Sequence, residues 1–209
     1  MQPTERSLIE ATEKFVKNSL REAEPGHDWL HAQRVRSLSL KIARFEKAAL
    51  DYRLLEVAAL VHDLYDHKFS DPHDSFRRIK AFFAERPEID RQFFDQLVYT
   101  INNISFSRQK KDEPKPDLIV QILRDADRLD AIGAIGVARA FSYGGYRKRP
   151  FYDSDQAKDP GNTLQHFEDK LLKIKDLLYT NAAQKLAVKR HLFLISFLEQ
   201  FSDEVDQSG

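Results

Sequence analysis

The chain has 209 residues, of which 42% are hydrophobic and none is cysteine, so it can bury a core but cannot form disulfides, thiolate metal sites or a cysteine nucleophile. Its formal net charge is zero, so the positive field that dominates non-specific nucleic-acid binding is missing, and we expect no nucleic-acid partner. The stretch MQPTERSLIEATEKF lacks an apolar signal core, and no stretch approaches the roughly 18 apolar residues of a membrane span. We therefore expect a cytoplasmic protein that acts away from membranes.

Glycine and proline are few and clustered, which leaves long segments with apolar residues at helical spacing. Asp28 and Asp51 each precede such a segment and are predicted N-caps, because an Asp side chain accepts hydrogen bonds from the first N–H groups of a helix. Residues 52–65 are apolar on nearly every side, so we place this helix at the centre of the fold. No convincing strand pattern occurs, and the predicted class is all-α. In chain order, the predicted helices span residues 5–21, 28–47, 52–65, 72–87, 89–101, 118–129, 164–179 and 181–201.

Residues 142–163 include the stretch SYGGYRKRPFYDSD and are predicted to form a mobile loop or lid. Aromatic rings together with Lys and Arg would suit stacking on a nucleotide base and binding of its phosphates. The alternative is a disordered crossover loop whose aromatic residues are incidental. We interpret residues 1–209 as one domain with C-terminal helices over about 164–203. The final helix HLFLISFLEQF would suit a homodimer interface as well as a core.

A His-Asp pair, His62-Asp63, lies near the end of one of the most apolar runs in the chain, LLEVAALVHDLYDHK. A buried Asp is costly unless it is paired or bound to a cation. One interpretation is a core histidine, with Asp63 hydrogen-bonded to a nearby backbone group or Arg. The other is a metal site, which requires further ligands from elsewhere in the chain.

Further candidate ligands lie on two other apolar helices. His31 is in the first turn of the second helix, and Asp127 lies in ILRDADRLDAIG, where three acids interrupt an apolar stretch. His31 could instead be a capping or core residue, and the acids could be partners of Arg124 and Arg128. With the His-Asp pair, the candidates offer two imidazoles and two carboxylates, which suit Mn²⁺, Fe, Mg²⁺, Co²⁺ or Zn²⁺ and leave room for water. The periodicity allows the three helices to meet but does not require it.

His31, the pair His62-Asp63 and Asp127 match the H…HD…D signature of the HD superfamily of metal-dependent phosphohydrolases, which the sequence resembles over residues 25–140. The contexts HAQRV, AALVHDL and ADRLDA match as well. The chain is similar to a bacterial subgroup of small, stand-alone HD hydrolases, some of which are nucleotide pyrophosphohydrolases. The resemblance implies a single HD-domain helical bundle with these four residues as a metal site at its centre. It also implies one divalent ion as cofactor (Mn, Mg, Fe, Co, Ni or Zn), with Mn or Mg favoured for activity.

Three side chains near the signature are candidates for contacts with substrate phosphates. Arg34 follows His31 by nearly one helical turn, and Lys68 lies just after the His-Asp pair, so both are predicted substrate-binding residues. The alternative for both is ordinary surface ion pairing. His27 recurs near the site mouth in the resembling subgroup, which implies a substrate-binding role or a supporting role behind the ligands.

Asp66 and His67 come one turn after the His-Asp pair. The alarmone hydrolases of the superfamily carry Glu-Asp there, implicated in handling the attacking water, and this departure argues against alarmone hydrolysis. We predict that Asp66 and His67 are catalytic residues, with Asp66 as the general base. Arg128, next to a predicted ligand, is expected to orient Asp63 or Asp127 without itself binding the metal ion.

The predicted activity is metal-dependent hydrolysis of a nucleotide, most concretely the release of pyrophosphate from (deoxy)nucleoside triphosphates. One alternative is a phosphomonoesterase acting on nucleoside monophosphates, which the ligand set does not separate from the first. Another is a non-catalytic nucleotide-binding regulatory module. A two-metal site, as in the cyclic-nucleotide phosphodiesterases of the superfamily, would need extra histidines between the His62-Asp63 pair and Asp127. Because only His67 and His73 occur there, we predict one metal ion. The predicted partner is a small phosphorylated molecule.

Overall fold

The computed structural model describes residues 3–47, 49–65, 72–104, 114–152 and 161–206. Regular secondary structure in these ranges is helical and includes no strand, which confirms the predicted all-α class. None of the described helices is both long and apolar enough to span a membrane. The α-helices are α1 (Pro3–Ser19), α2 (Trp29–Phe45), α3 (Tyr52–Val61), α4 (Pro72–Ala84), α5 (Arg91–Asn102), α6 (Leu118–Asp130), α7 (Gly133–Tyr146), α8 (Thr163–Asp169) and α9 (Asn181–Asp206), and short 3₁₀ helices cover His62–Tyr65 and Leu171–Leu177.

The chain divides into two compact units, Met1–Ala126 and Asp127–Gly209. In the first unit, α3 lies at the centre and packs against α1, α2 and α5. Residues 54–61 of α3 are all buried, as predicted for the central helix. Asp51 is its N-cap and accepts a hydrogen bond from the Leu54 N–H at 3.0 Å. The C-terminal end of α3 therefore lies inside the buried part of the first unit.

In the second unit, α7 packs against α8 and α9 around a cluster of aromatic rings. The Phe141 ring lies 6.0 Å from the Phe167 ring, 5.8 Å from Phe197 and 6.1 Å from Phe201, measured between ring centroids. The Phe151 ring meets Phe141 edge-on at 5.2 Å. Phe167 is completely buried, whereas Phe151 is 55% exposed, so the cluster reaches from the core of this unit to its surface. Such aromatic pairs stabilise a fold beyond the area that they bury.

Helix α7 is absent from the predicted elements, and its last residues, 142–146, fall in the segment predicted to be a loop. Glycine has low helix propensity, which is why the sequence pattern does not indicate a helix here. Tertiary packing requires the glycines: a Cβ on Gly136 would meet a backbone carbonyl just before the helix, and one on Gly144 would meet the Thr163 side chain. The predicted start of the loop is therefore wrong. Residues 153–160 of that loop lie outside the described residues, and its mobility stays a prediction.

The single helix predicted over residues 164–179 is two helices in the structure. Helix α8 ends at Asp169, because Lys170 has φ −134° and ψ −56°, outside the α-helical region. The 3₁₀ helix that follows has about three residues per turn. Leu171 and Ile174, three residues apart, therefore share one face, and both are buried. The buried residues of this short segment are three positions apart. This spacing also occurs on one face of an α-helix, so the sequence pattern predicts a single α-helix here.

A network of ion pairs joins α1, α2 and α3 in the first unit. Arg36 Nη1 lies 2.5 Å from Glu13 Oε1, while its Nε and Nη2 lie 2.7 and 2.5 Å from Glu56 Oε2. The Glu56 side chain is only 10% exposed, so its charge depends on the guanidinium for compensation. This network holds the helices that surround the central α3.

We expect Arg36→Met to lower the free energy of unfolding by about 2–3 kcal/mol, because it leaves the Glu56 carboxylate buried without its cation. Arg6→Met is the matched control, since Arg6 pairs with Glu10 along the exposed face of α1. We expect that control to lose less than about 0.5 kcal/mol. Urea unfolding of both variants measures the difference. Equal losses in the two variants would contradict the expected role of the buried network.

Candidate metal centre

The N-terminus of α2 places His31 in the core of the first unit. Asp28 has an extended backbone conformation and accepts a hydrogen bond from the His31 N–H at 2.8 Å, so it is the predicted N-cap. His31 shares the buried face of α2 with Val35, and its side chain is completely buried. The cap thus fixes the first turn of α2, from which the His31 imidazole extends into the protein.

The tautomer of His62 follows from its hydrogen bond to α3. Its Nδ1 lies 2.8 Å from the Ala59 carbonyl oxygen, which can only accept, so the proton of the neutral ring is on Nδ1. The Nε2 atom therefore carries a lone pair. This atom is buried and has no hydrogen-bond partner among the described residues. Such an atom is costly in a protein core unless it accepts a hydrogen bond or binds a cation.

The Asp63 carboxylate lies among three imidazoles. Its Oδ2 is 3.1 Å from His27 Nδ1 and 3.2 Å from His31 Nε2, while its Oδ1 is 3.2 Å from His62 Nε2. The side chains of His31 and His62 are 0% and 4% exposed, and that of His27 is 24% exposed. The structure therefore brings together three of the four predicted ligands and adds His27 to them.

Asp63 is ionised at neutral pH in spite of its burial. Burial by itself would raise the pKa of this carboxyl group. In the metal-free protein, the positive charges of protonated His62 and His31 and hydrogen bonds from His27 and His31 outweigh that effect, so the pKa lies well below its ordinary value. The site thus combines a fixed negative charge with neighbouring nitrogen donors.

These donor atoms fit a divalent cation. Nitrogen and oxygen ligands lie about 2.0–2.2 Å from an ion such as Zn²⁺, so neighbouring donors of one ion are about 3 Å apart. The donor distances around Asp63 are 3.1 and 3.2 Å. The ligand atoms of His27, His31 and Asp63 all lie within 4.8 Å of one another. With the lone pair on His62 Nε2, this group could hold a metal ion.

The alternative interpretation of the His-Asp pair, in which a backbone group or an Arg satisfies Asp63, does not match these contacts, because the neighbours of its carboxylate are imidazoles. The acids and bases of α6 are different. Asp130 accepts a hydrogen bond from Arg139 Nη1 at 2.8 Å, and Arg124 donates to the Asn103 carbonyl at 2.6 Å. Ordinary pairing therefore accounts for Asp130, with an arginine that the sequence interpretation did not consider.

Asp127, the fourth predicted ligand, directly follows the completely buried Ala126 in α6 and is the first residue of the second unit. Its side chain is half-buried, and its role as a ligand stays a prediction. Arg34 is also half-buried, on α2. Three further predicted site residues lie outside the described residues, so their roles stay predictions too: Asp66, His67 and Lys68.

Arg128 is buried in the second unit. It donates from Nη1 to the Leu177 carbonyl at 2.5 Å, and its guanidinium lies 5.3 Å from the centroid of the Tyr179 ring. These contacts anchor the 3₁₀ helix that ends at Leu177. The predicted role of Arg128 in orienting a metal ligand stays a prediction.

Two supporting contacts were not predicted. The hydrogen bond between His62 and the Ala59 carbonyl could have been found, because the two residues are three apart at the end of a predicted helix. The contact between His27 and Asp63 had no such indication, since 36 positions separate them in the chain. The resemblance implied only that His27 lies near the mouth of the site.

Comparisons with known proteins identify the family of the chain. Residues 29–132 match the HD domain family. The chain is 35% identical over 207 residues to YpgQ of Bacillus subtilis (strain 168), an uncharacterised protein, and the match covers 96% of this chain and 95% of YpgQ. The chain is also similar to the crystal structure of Bacillus subtilis YpgQ in complex with ADP, with 32% sequence identity, a TM-score of 0.77 and 96% of both chains covered. The crystal structure of an HD-superfamily hydrolase from Bacillus thuringiensis is 34% identical, with a TM-score of 0.76, covering 97% of this chain and 98% of that one.

The matched residues 29–132 include His31, His62, Asp63 and Asp127, the residues on which the resemblance was based. The similarity to YpgQ and to the Bacillus thuringiensis hydrolase extends over nearly the whole of each chain. The resemblance drawn from the sequence is therefore confirmed: the chain belongs to the HD domain family and is an HD-type metal-dependent phosphohydrolase.

Proposed function

We propose that the chain hydrolyses (deoxy)nucleoside triphosphates with a divalent metal ion and releases pyrophosphate. The observation that carries the proposal is the buried Asp63 carboxylate, whose two oxygens lie 3.2 Å from imidazole nitrogens of His31 and His62. Imidazole together with carboxylate is a ligand set for divalent ions that activate water. Such a site suits hydrolysis of a phosphoanhydride, in which charge develops on phosphoryl oxygens.

A nucleotide substrate is supported by the relative YpgQ, whose crystal structure was determined in complex with ADP. ADP shares its base, its ribose and one phosphoanhydride with nucleoside triphosphates, so a pocket that accepts ADP has the chemistry for most of the proposed substrate. We extend nucleotide binding to this chain because 32% of residues are identical and 96% of both chains are covered. The proposal includes a cytoplasmic location for the enzyme.

In the proposed mechanism, His31, His62, Asp63 and Asp127 would hold one Mn²⁺ or Mg²⁺ ion, which would supply the Lewis acidity for activating water and polarising a phosphoryl oxygen. The Ala59 carbonyl keeps the proton of His62 on Nδ1 and thereby leaves Nε2 available as a ligand. Asp63 supplies negative charge at neutral pH, because its pKa is well below the ordinary value. The protein thus presents these donors already oriented and partly desolvated.

Positive charge near the non-bridging oxygens is the other contribution that phosphoryl transfer requires of the protein. We propose Arg34, half-buried on α2 nearly one turn after His31, and Lys68 for this role. Asp66 is the proposed general base, which accepts a proton from the attacking water. His67 is proposed as a second catalytic residue. The same ligands would serve a phosphomonoesterase, so the released product decides between the two activities.

With Mn²⁺ or Mg²⁺ added, we expect the purified full-length chain to release pyrophosphate from at least one nucleoside triphosphate. The test is a panel of nucleoside mono-, di- and triphosphates in which phosphate and pyrophosphate are quantified separately. Asp63→Ala controls for contaminating hydrolases and should release neither product above background. Phosphate release from monophosphates alone would favour the phosphomonoesterase instead. Nucleotide binding without turnover would favour a regulatory binding module.

A further inference from the structure

His27 is held in a defined position just before α2. Gly26 has φ of 92°, a left-handed conformation that glycine adopts readily, and the His27 N–H donates to the Glu24 carbonyl at 3.1 Å. Asp28 follows immediately and caps α2. The turn and the cap therefore fix the backbone on both sides of His27, so the direction of its side chain is set by local structure.

The His27 ring contacts one of the two oxygens of the Asp63 carboxylate. Its Nδ1 lies 3.1 Å from Asp63 Oδ2, and its ring packs edge-on against the His31 ring, with centroids 5.7 Å apart and an interplanar angle of 76°. Asp63 Oδ1 is on the side of His62. A hydrogen bond to Oδ2 therefore restricts rotation of the carboxylate while Oδ1 continues to face the His62 lone pair.

We infer that His27 is a positioning residue for Asp63, which donates from Nδ1 to Oδ2 and holds the carboxylate in the orientation that binds the metal ion. This role rests on the proposed function, and it is the supporting role that the resemblance left open beside substrate binding. Groups that hydrogen-bond to a metal ligand fix its orientation, and their removal typically weakens metal affinity by about 10–100-fold. The ligand atom of His27 lies within 4.8 Å of those of His31 and Asp63, so His27 could also bind the ion directly. Because its Nδ1 contacts Asp63 Oδ2 at 3.1 Å, we assign it instead to holding Asp63.

Two variants test the inference, measured by titration of Mn²⁺ into chelator-treated, full-length protein. His27→Leu keeps a side chain of similar size but removes the donor, and we expect Mn²⁺ affinity to fall by about 10–100-fold. His27→Asn places an amide N–H near the position of Nδ1, and we expect affinity within a few-fold of the wild type. Thermal unfolding of both metal-free variants checks that neither change disturbs the fold, because a merely structural role would appear there.

The remaining outcomes separate the inference from the proposed function. If the wild type binds Mn²⁺ and His27→Leu binds it equally well, the positioning role is wrong and the metal site stands. If Leu and Asn at position 27 weaken binding equally, His27 is a direct ligand and the positioning role is again wrong. If the wild type itself binds no Mn²⁺, both the inference and the proposed function are overturned.

Discussion

Asp63→Asn is expected to lower kcat/KM for nucleotide hydrolysis by about a thousandfold, equivalent to about 4 kcal/mol of transition-state stabilisation. The substitution keeps the size and shape of the side chain but removes the negative charge that lies among three imidazoles. It also exchanges one ligand oxygen for an amide nitrogen, which is a poor ligand for a divalent ion. Steady-state kinetics of pyrophosphate release, together with the Mn²⁺ bound per chain, measure the effect.

The matched control is Asp51→Asn, the same chemical change at the N-cap of α3. Asp51 accepts a hydrogen bond from the Leu54 N–H at 3.0 Å, and Asn caps a helix about as well as Asp. We therefore expect activity and bound Mn²⁺ close to those of the wild type. If Asp63→Asn kept activity comparable to that of this control, the carboxylate would not be a metal ligand.

The first unit could be predicted largely from local rules. Asp28 and Asp51 are N-caps, as predicted, because an Asp side chain just before a helix accepts a hydrogen bond from an N–H group of its first turn. Residues 54–61 are all buried because a helix that is apolar on every side can only be stable inside the protein. The polar pair that ends this run then had to find partners in the core, which is why it indicated a site.

The second unit shows where local rules fail. Helix α7 contains glycines that lower its intrinsic propensity, yet Gly136 and Gly144 lie where a Cβ would meet another part of the chain. Tertiary packing therefore requires residues that the local pattern reads as a loop. The ion pair between Arg139 and Asp130 was likewise not predictable, because the two residues are nine positions apart and their contact depends on how α6 and α7 are connected.

The contact between His27 and Asp63 could not be predicted for a related reason. The turn at Gly26 directs the ring, and 36 positions separate the two residues, so no periodicity links them. Three His-Asp dipeptides occur in the chain, and the sequence distinguishes them only by context. The structure adds that two of the three are neighbours in space, with His27 of one contacting Asp63 of the other.

Asp127→Asn tests the one predicted ligand that belongs to the second unit. If Asp127 completes the metal site, removing its carboxylate should weaken Mn²⁺ affinity by about 100-fold. The ion would then lose one of its four protein ligands, and that ligand is one of the two that carry a negative charge. The stability of the metal-free protein should change little, because the Asp127 side chain is only half-buried. Mn²⁺ titration and urea unfolding of the same samples measure both quantities.

Asp130→Asn, three positions further along α6, should give the opposite pattern. Asp130 is 1% exposed and pairs with Arg139 at 2.8 Å, so its neutralisation should lower the free energy of unfolding by about 1–3 kcal/mol and leave Mn²⁺ affinity unchanged. The two variants make the same chemical change on one helix, and the two carboxylates differ in burial and in what they contact. If both variants lost stability and both kept Mn²⁺ affinity, Asp127 would be a structural acid like Asp130, and the metal would be held by the residues around Asp63 alone.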